Sequence, residues 1–396
     1  MTTVGLSTTD TKPRRPGRDN AGAAARVGQH HADLTSGFIL VLVLAFNLFG
    51  LVMVLSASSV AAIQEDNSAS WYFSRQVVWV AAGAVVFFVA SSIRYHFWGR
   101  VARPAYYLTY ALLGLVFLMG LEGGGSTRWL AFGPMRMQPS ELAKLTVIVF
   151  VAKLLSDRER HIGDRRRSLH PVLVWFLPLA LLVFVEPDLG TTIILGCIVM
   201  SMLFAAGVPL LPLATLTAIG ASGAVVAAIV APYRRRRLLA FTDPWSDASD
   251  TGWQTLQSLT GLANGGLDGM GLGQSRVKWG YLPNSHTDFI FAIIGEELGL
   301  IGTMTILLLV FFFALLGFRT ALHAPDLFGQ LLAAGITAWF CIQAFVNIGG
   351  VVGLLPITGV TLPFVSFGGS SLIVNMAAAG ILLNISREVG ARAGQS

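Results

Sequence analysis

A single carboxylate stands where a polar loop meets a long apolar stretch. The loop ends with Pro283, Asn284 and Ser285, and from Phe289 onward almost every residue is apolar. Asp288 lies at this junction. An ionisable group at the edge of a membrane-length apolar segment is a candidate for function, and a positioned carboxylate is suited to accept a proton. In the alternative interpretation, Asp288 only caps a helix.

Small residues follow Asp288 at helical spacing. If a helix begins near Thr287, then Gly295, Gly299 and Gly302 lie on nearly the same face, below the acid. We expect this face either to form a groove that holds a lipid chain or to make a close contact with a neighbouring helix. The two interpretations differ in whether this side of the helix is open.

The composition is that of a polytopic membrane protein. Of the 396 residues, 54% are hydrophobic and only 12% are charged. Apolar runs of about 20 residues, the length that spans the hydrocarbon core, recur along the chain. A soluble protein is therefore excluded, and the net charge of +6 indicates membrane topology rather than nucleic-acid binding. The two cysteines, Cys197 and Cys341, lie in apolar segments, so we expect free thiols.

We predict an all-α polytopic membrane protein with ten transmembrane helices. Residues 1–36 are polar, lack the apolar segment of a signal peptide and are expected to form a disordered cytoplasmic tail. The membrane domain is expected to span 37–390, followed by a short cytoplasmic tail at 391–396. The predicted helices lie at 37–58, 74–92, 104–121, 139–155, 170–186, 190–207, 210–232, 288–317, 327–349 and 365–386.

One large loop, 233–287, separates predicted helices 7 and 8. With both termini in the cytoplasm this loop is extracytoplasmic, and the inner segments then carry more lysine and arginine than the outer ones, as expected. Four consecutive arginines, 234–237, disagree with this assignment because they directly follow a helix on the outer side. Either the helix count is wrong, the run is simply solvated, or it binds an anionic headgroup.

Four polar clusters interrupt the apolar segments, each at the predicted start of an even-numbered helix. Their candidate substrate-binding members are, for helix 4, Arg128, Trp129, Arg136, Gln138, Ser140, Glu141 and Lys144; for helix 6, Glu186 and Asp188; for helix 8, His286 and Glu296, beside Asp288; and for helix 10, Ser366 and Ser370. Because all four helices start on the outer face, we expect the clusters to share one surface. Helix N-termini and basic side chains gathered there would attract phosphate.

Each cluster also has a purely structural interpretation. Glu141 and Lys144, three residues apart, can neutralise each other within the helix bundle. Asp188 can cap the helix that follows Pro187. Helix packing alone can explain the glycines and serines of 366–371. No dense group of metal-ligating side chains is visible, so the sequence leaves the presence of a metal open.

Several longer stretches of the chain resemble the SEDS family (shape, elongation, division and sporulation). They are STRWL with MQPSELAK, EPDLGT, PYRRRRLLAFTDPW, GWQTLQSL, GLGQSRVKWGYLPNSHTDFIFAIIGEELGLIG and GLLPITGVTLPFVSFGGSS. The GEELG form after HTDFIF and the GVTLPFVSFGGSS stretch are more similar to the division branch, the FtsW-type proteins, than to the elongation branch. The resemblance runs from about helix 1 to helix 10 and leaves out residues 1–36.

The resemblance implies a peptidoglycan glycosyltransferase of the bacterial plasma membrane, acting at the division septum. Its substrate would be lipid II, a disaccharide pentapeptide carried on polyprenyl diphosphate. The resemblance also implies that Asp288 is the catalytic acid and that Arg136 and Lys144 matter for activity. A class B penicillin-binding protein, which is a transpeptidase, and other division proteins would be its partners. No nucleic acid is expected among them.

On this hypothesis Asp288 takes the proton of the acceptor sugar's 4-hydroxyl, and the link forms with inversion as a β-1,4 bond. Arg136, Lys144 and Arg128 would neutralise the departing diphosphate. A divalent cation, Mg²⁺ or Mn²⁺, would serve the same purpose. Two other functions stay open, namely a flippase that moves lipid II across the membrane and a non-catalytic division scaffold. An internal repeat of the kind that transporters often contain is not visible.

Overall fold

The computed structural model describes residues 18–123, 126–132, 135–248 and 252–393. A small three-stranded sheet lies between the third and fourth helices. The elements are α1 (Arg18–Gln64), α2 (Trp71–Ser92), α3 (His96–Met119), β1 (Leu121–Gly123), β2 (Ser126–Phe132), β3 (Met135–Met137), α4 (Pro139–Ser156), α5 (Leu169–Val185), α6 (Leu189–Ala205), α7 (Leu210–Val230), α8 (Pro232–Thr242), α9 (Trp253–Gly265), α10 (Ile290–Leu322), α11 (Leu327–Val351) and α12 (Gly369–Ala393).

The protein is a helical, polytopic membrane protein, as predicted. Within the described residues, seven helices are long and apolar enough to cross a membrane: α1, α2, α3, α7, α10, α11 and α12. The apolar helices α5 and α6 are shorter, with 17 residues each. Helix α4 has 18 residues and carries Glu141, Lys144 and Lys153. Length and composition therefore support several spans, and the count of ten stays a prediction.

Some predicted boundaries differ from the structure. Helix α1 begins at Arg18, so residues 18–36 of the predicted disordered tail are helical, while residues 1–17 and 394–396 lie outside the described part of the chain. Helix α3 begins before Pro104, which the sequence pattern had placed in the first turn. A proline can be accommodated inside a membrane helix because neighbouring groups satisfy the freed backbone.

The predicted all-α class holds for the helix bundle, and the structure adds one small sheet between α3 and α4. Strand β2 pairs antiparallel with β1, with Leu121 opposite Trp129, and with β3, with Ala131 opposite Arg136. The sequence of β2, STRWLAF, contains threonine and aromatic residues that favour strands. Helical periodicity, on which the predicted elements rest, carries no signal for a strand of this kind. The sheet carries the basic residues of the first cluster towards the start of α4.

The large loop between α7 and α10 is partly helical. Its second helix, α9, packs so closely on α10 that a Cβ added to Gly265 would clash with the backbone of Gly295. A Cβ added to Gly295 would in turn clash with Leu262 of α9. The face of α10 that was expected to form a lipid-holding groove is therefore filled by protein. The structure therefore supports the second interpretation of the small-residue stripe (Gly295, Gly299 and Gly302), in which it makes a close contact with a neighbouring helix.

Helix α10 is broken at Gly299, whose φ of 63° and ψ of −155° lie outside the helical region. Glycine adopts a positive φ without the steric cost that other residues pay. The backbone of 266–271 fills the break: Met270 N–H donates to the Glu296 carbonyl at 2.9 Å, and Leu300 N–H donates back to this segment, also at 2.9 Å. Backbone groups at membrane depth need such partners. The loop and the first half of α10 thus form one hydrogen-bonded unit.

The core of the bundle is built around α4 and α11, whose residues are mostly buried. Helix α11 packs on α4, α6 and α10, and α12 packs on α1 and α2. The starts of α4, α6 and α12 and the loop before α10 meet at one end of this bundle, where hydrogen bonds join them to one another.

Candidate active site

Asp288 lies in the loop two residues before α10 begins at Ile290. The N-cap position of α10 is Phe289, and no side chain caps the helix. The structure therefore does not support the interpretation of Asp288 as a helix cap. The Asp288 side chain is only partly buried, so it is accessible to a molecule from outside the bundle.

The loop between α11 and α12, residues 352–368, holds Asp288 from one side. Asp288 Oδ2 lies 3.5 Å from the point that a Cβ on Gly359 would occupy, and Gly359 has a φ of +75°. Asn347 Nδ2, on α11, donates to the Asp288 carbonyl at 2.8 Å and to the Val360 carbonyl at 2.7 Å. One amide side chain therefore ties the Asp288 backbone to the loop that faces its carboxylate.

The electrostatic surroundings of Asp288 suit a general base. Burial raises its pKa to about 6, opposed by the positive charge of Arg237, a hydrogen bond from Thr287 and the charge of Arg128, while Asp188 adds to the rise. At neutral pH the carboxylate is mostly ionised and its proton affinity lies close to the working range. A base of this kind is efficient because its pKa lies near the operating pH.

The first and second clusters meet at Asp188. Its carboxylate caps α6, accepting from the backbone N–H and the hydroxyl of Thr191, both at 3.0 Å. It also accepts from Gln138 Nε2 at 3.2 Å, and Arg128 Nη1 lies 3.9 Å from it. Gln138 Nε2 further donates to the buried Ser140 hydroxyl at 2.9 Å. The capping role foreseen for Asp188 is present, together with contacts to the neighbouring cluster.

Arg128 spans the turn between α5 and α6. Its guanidinium donates to the Glu186 carbonyl at 3.2 Å and to the Pro187 carbonyl at 2.6 Å. The Glu186 side chain is buried, and neither of its carboxylate oxygens has a hydrogen-bond partner among the described residues. Burial and the nearby Asp188 raise the pKa of Glu186 to about 8 against the opposing charge of Arg128. Glu186 therefore carries a proton for most of the time at neutral pH.

The start of α12 joins the first and third clusters. Ser370 Oγ donates to the Arg136 carbonyl at 3.0 Å and accepts from the Gln138 N–H at 3.4 Å. Ser366 Oγ donates to the Thr287 carbonyl at 2.6 Å. The two serines therefore fix the strand that carries Arg136 and the loop that carries Asp288 to the same segment. The Arg136 side chain itself is exposed.

His286 packs among aromatic rings beside Asp288. Its ring centroid lies 4.4 Å from that of Tyr72 and 5.6 Å from that of Phe367, and Phe367 N–H donates to the His286 carbonyl at 3.0 Å. Burial lowers the pKa of His286 to about 4, against the opposing charge of Glu65. The imidazole is therefore neutral at physiological pH and adds no charge to the site.

Lys144 lies in the core rather than at the surface that Asp288 faces. Its fully buried ammonium donates to Glu141 Oε1 at 2.7 Å and to Gln343 Oε1 at 2.8 Å. Gln343 Nε2 donates onward to the Thr361 carbonyl at 2.9 Å. The ion pair considered as a structural alternative is thus present. Through Gln343 it also connects α4 to the loop 352–368, which holds Asp288.

Glu296, predicted as a substrate-binding residue, lies with the loop and not with the cluster around Asp288. Its fully buried carboxylate accepts from Ser275 Oγ and from the Val277 N–H at 3.2 Å. Its neighbour Glu297 pairs with Lys278. Both carboxylates fasten the loop 266–278 to the first half of α10. The prediction for Glu296 is corrected on this ground.

Arg237, Asn347, Gly359 and Gln343 lie around Asp288 or Lys144 but were not singled out from the sequence. Arg237 was part of a recognised arginine run, but the run alone does not tell which member faces inward. Asn347 and Gln343 are polar residues in an apolar helix, a pattern that marks functional or packing positions. Among the described residues, no three His, Cys, Asp or Glu side chains come together as a metal-ligand group.

Comparison with known proteins settles the family. Residues 37–390 match the sequence model of the FtsW/RodA/SpoVE family, described as "cell cycle protein". The chain belongs to this family. The resemblance read from the motifs is therefore confirmed, and it covers the whole of the predicted membrane domain.

Curated relatives within the family are similar over most of their length. Stage V sporulation protein E of Bacillus subtilis is 42% identical over 353 residues, which are 88% of this chain and 96% of the relative. A probable peptidoglycan glycosyltransferase FtsW of Geobacter metallireducens is 40% identical over 350 residues, 88% of this chain and 93% of the relative. Division and sporulation proteins are thus about equally similar to this chain.

Solved structures share the fold of this chain. A chain from a peptidoglycan synthase complex, solved to explain the coordination of polymerization and crosslinking, superposes with a TM-score of 0.73 at 29% identity, covering 89% of this chain and 97% of that one. RodA of Thermus thermophilus, a rod shape determining protein, gives a TM-score of 0.65 at 28% identity, covering 88% and 96%.

Proposed function

We propose that the protein is a peptidoglycan glycosyltransferase that polymerises lipid II into β-1,4 glycan strands during septal cell-wall synthesis and releases polyprenyl diphosphate. The observation that carries the proposal is the accessible Asp288 carboxylate, whose pKa is raised by burial and whose ionised form is favoured by the charges of Arg237 and Arg128. The family membership and the names of the relatives support the same chemistry.

In the proposed reaction Asp288 is the general base. It accepts the proton from the 4-hydroxyl of the acceptor sugar while that oxygen bonds to the anomeric carbon of the donor. The bond between the anomeric carbon and the diphosphate oxygen breaks, and the diphosphate leaves with the electron pair. Because the oxygen attacks opposite the leaving group, the anomeric centre is inverted. A base positioned in this way contributes about 10²–10⁴-fold to a rate.

We propose that the departing diphosphate is neutralised at the surface where the helix starts meet. Arg136 is exposed, Arg128 is partly buried, and α4, α6 and α12 begin nearby. Positive side chains and helix N-termini stabilise negative charge that develops in a transition state. The other members of the proposed binding set are Trp129, Gln138, Ser140, Glu141, Lys144, Glu186, Asp188, His286, Ser366 and Ser370, whereas Glu296 is left out.

A divalent cation, Mg²⁺ or Mn²⁺, fits this proposal as a companion of the diphosphate. Mg²⁺ commonly binds through one or two carboxylates together with substrate phosphates and retained waters. Glu186, whose carboxylate oxygens have no partner among the described residues, and Asp188 are the carboxylates beside Arg128. They are the residues that would hold the cation, which would displace the proton of Glu186 and supply further charge neutralisation. Chelation followed by stepwise return of Mg²⁺ or Mn²⁺ tests this point.

We further propose ten spans, adding α4, α5 and α6 to the seven helices that meet the length and composition criteria. Both termini then lie in the cytoplasm, and α8 and α9 lie in the extracytoplasmic loop between the seventh and eighth spans. This arrangement puts Asp288 on the outer face, where a membrane-anchored acceptor glycan would be. Cysteine accessibility at Trp245→Cys and His161→Cys, on opposite sides in this topology, tests it.

The proposed partner is a class B penicillin-binding protein, a transpeptidase that would crosslink the new glycan, together with other division proteins at the septum. The similarity to a chain of a peptidoglycan synthase complex supports a partner of this kind. Co-purification from membranes with the transpeptidase encoded by the same bacterium tests it.

The deciding experiment uses purified protein and labelled lipid II in detergent, where there is no bilayer across which to move a lipid. Glycan strands formed under these conditions are the expected result. If the protein makes no glycan in detergent but moves lipid II between the leaflets of vesicles, the flippase hypothesis replaces this proposal. If it does neither, the protein acts as a division scaffold.

A further inference from the structure

Of the three arginine side chains of α8 that the structure describes, one is turned inward. Arg235 and Arg236 are exposed, whereas Arg237 is partly buried and its Nη1 donates to the Ile357 carbonyl at 3.4 Å. Ile357 belongs to the loop 352–368 between α11 and α12. The arginine run is therefore not uniform, and only one of these three side chains is held against the site.

Arg237 and Asp288 lie on the same short stretch of that loop. Arg237 bonds to Ile357, and two residues further along, Gly359 lies against the Asp288 carboxylate, with Oδ2 3.5 Å from the position of a Cβ on that glycine. Because Gly359 has no side chain, nothing from this residue separates the carboxylate from the loop backbone. The loop thus brings a guanidinium from α8 and a carboxylate from the start of α10 to one place.

The charged groups around Asp288 come from three further elements. Arg237 of α8 and Arg128 of β2 favour its ionised form, Asp188 at the start of α6 opposes it, and the Thr287 hydroxyl adds a hydrogen bond. Arg237 is the strongest of the favourable contributions. Arg128 is also committed to the α5–α6 turn through the Glu186 and Pro187 carbonyls. Arg237 is therefore the main counter-charge that the protein provides for Asp288.

We propose that Arg237 is a positioning residue for the reaction, which keeps Asp288 ionised so that it can act as a base when α8 is docked on the loop 352–368. This inference rests on the proposed function. It makes the extracytoplasmic helix α8 part of the working site: if α8 moves away, the carboxylate loses its counter-charge and takes up a proton at a higher pH than before. An ionised base next to a buried, apolar environment requires such a charge because burial alone favours the neutral acid.

The test measures the rate of lipid II polymerisation in detergent from about pH 5 to about pH 9 for Arg237→Gln and for the matched control Arg236→Gln. An opposite charge at close range lowers a carboxyl pKa by about one unit or more. On the acidic side of the pH profile, here called the acid limb, kcat/KM falls as Asp288 takes up a proton. The pH of this fall should therefore be about one unit higher in Arg237→Gln than in the wild-type protein. That shift means a loss of roughly fivefold near pH 6 and almost none above about pH 8.

Arg236→Gln should leave the acid limb in its wild-type place, because Arg236 is exposed and makes no described contact with the loop 352–368. Arg237→Lys should also keep the limb near its wild-type position, because it retains the charge. A purely structural role for Arg237 would lower the rate equally at every pH. If Arg237→Gln lowers the melting temperature, Arg237→Met provides a second neutral variant for the same measurement.

An unchanged acid limb in both neutral variants would overturn the inference. So would a pH-independent rise of KM for lipid II, which would mean that Arg237 binds the substrate diphosphate directly. Failure of the underlying function looks different: the wild-type protein would then form no glycan, or Asp288→Asn would polymerise lipid II normally. The two failures are therefore distinguishable on the same set of proteins.

Discussion

Lys278 and Glu297 form a buried ion pair, with Nζ 2.8 Å from Oε1 and almost no exposed side-chain surface on either partner. The lysine comes from the loop that leads to Asp288, and the glutamate from the last turn before the break in α10. Ser56 of α1 donates to the same carboxylate at 2.6 Å. The pair therefore fastens the loop, the first half of α10 and α1 to one another.

Replacing Lys278 by methionine should destabilise the protein strongly. Removing one partner of a buried pair leaves an uncompensated buried charge and costs about 3–5 kcal/mol. The double variant Lys278→Met with Glu297→Gln should recover much of the loss, because no unpaired charge remains. Melting temperature in detergent provides the measurement.

Lys153→Met is the matched control for this experiment. Lys153 pairs with Asp157 at 2.6 Å, but both side chains are about two-fifths exposed, at 41% and 43%. Pairs of that kind contribute at most about 1 kcal/mol. If Lys278→Met and Lys153→Met have the same small effect, the buried pair does not fasten the loop.

Asp288→Asn should abolish polymerisation and leave the fold intact. The amide is nearly the same size as the carboxylate but cannot accept the proton, so a loss of at least about 10²-fold is expected. Lipid II consumption and melting temperature are measured on one preparation. A variant with the wild-type rate would remove Asp288 from its catalytic role.

The polymerisation rate of the wild-type protein should fall as the pH decreases through about 6. Burial raises the pKa of Asp288 to about 6; the base works when deprotonated, so activity is present above this value and is lost below it. In free aspartate the same loss would occur near pH 4. If the polymerisation rate stayed constant down to about pH 4.5, the pKa of Asp288 would not be raised by its environment in the way described.

Lys144→Met should lower activity through the loop that holds Asp288. Lys144 connects Glu141 to Gln343, and Gln343 bonds to the backbone of the loop 352–368. If the pair acts only as a structural link, Lys144→Met with Glu141→Gln should restore activity, since it leaves no unpaired charge. If Lys144 also neutralises the diphosphate, the double variant should stay defective in the use of lipid II while its melting temperature recovers.

The sequence was sufficient to predict the membrane class, the approximate helix positions and the meeting of the polar clusters, because each depends on local patterns. Apolar runs give the helices, and in the proposed topology alternation across the membrane would put every second helix start on one face. The role of Glu296 could not be predicted in this way. It depends on the loop residues Ser275 and Val277 returning to α10, which is a tertiary contact without a periodic signature.

The inward orientation of Arg237 has the same physical origin. Four adjacent arginines are equivalent in a sequence, and only the docking of α8 against Ile357 distinguishes one of them. The break at Gly299 was also hidden, because its surroundings remain apolar on both sides and the pattern continues as for an unbroken helix. Local patterns therefore predicted which segments form the site, and tertiary packing decided which side chains enter it.

Gly295→Leu should destabilise the protein by unseating α9. Gly295 is buried, a Cβ there already clashes with Leu262, and the α9 backbone at Gly265 lies directly against the Gly295 carbonyl. Overpacking of a tight contact costs about 1–3 kcal/mol, and here the new side chain meets the side chains of Leu262 and Thr303, which would have to move. The expected result is a lower melting temperature in detergent together with lost activity, because α9 belongs to the loop that carries Asp288.

Gly223→Leu in α7 is the control, since a Cβ at Gly223 meets nothing within 4 Å. It should leave both melting temperature and activity close to wild type, because the new side chain enters open space on an exposed face. Lipid II binding separates the remaining possibilities for Gly295→Leu. Poor lipid II affinity with an unchanged melting temperature would mean that the stripe lines a lipid groove after all and that α9 does not fill it in the working protein.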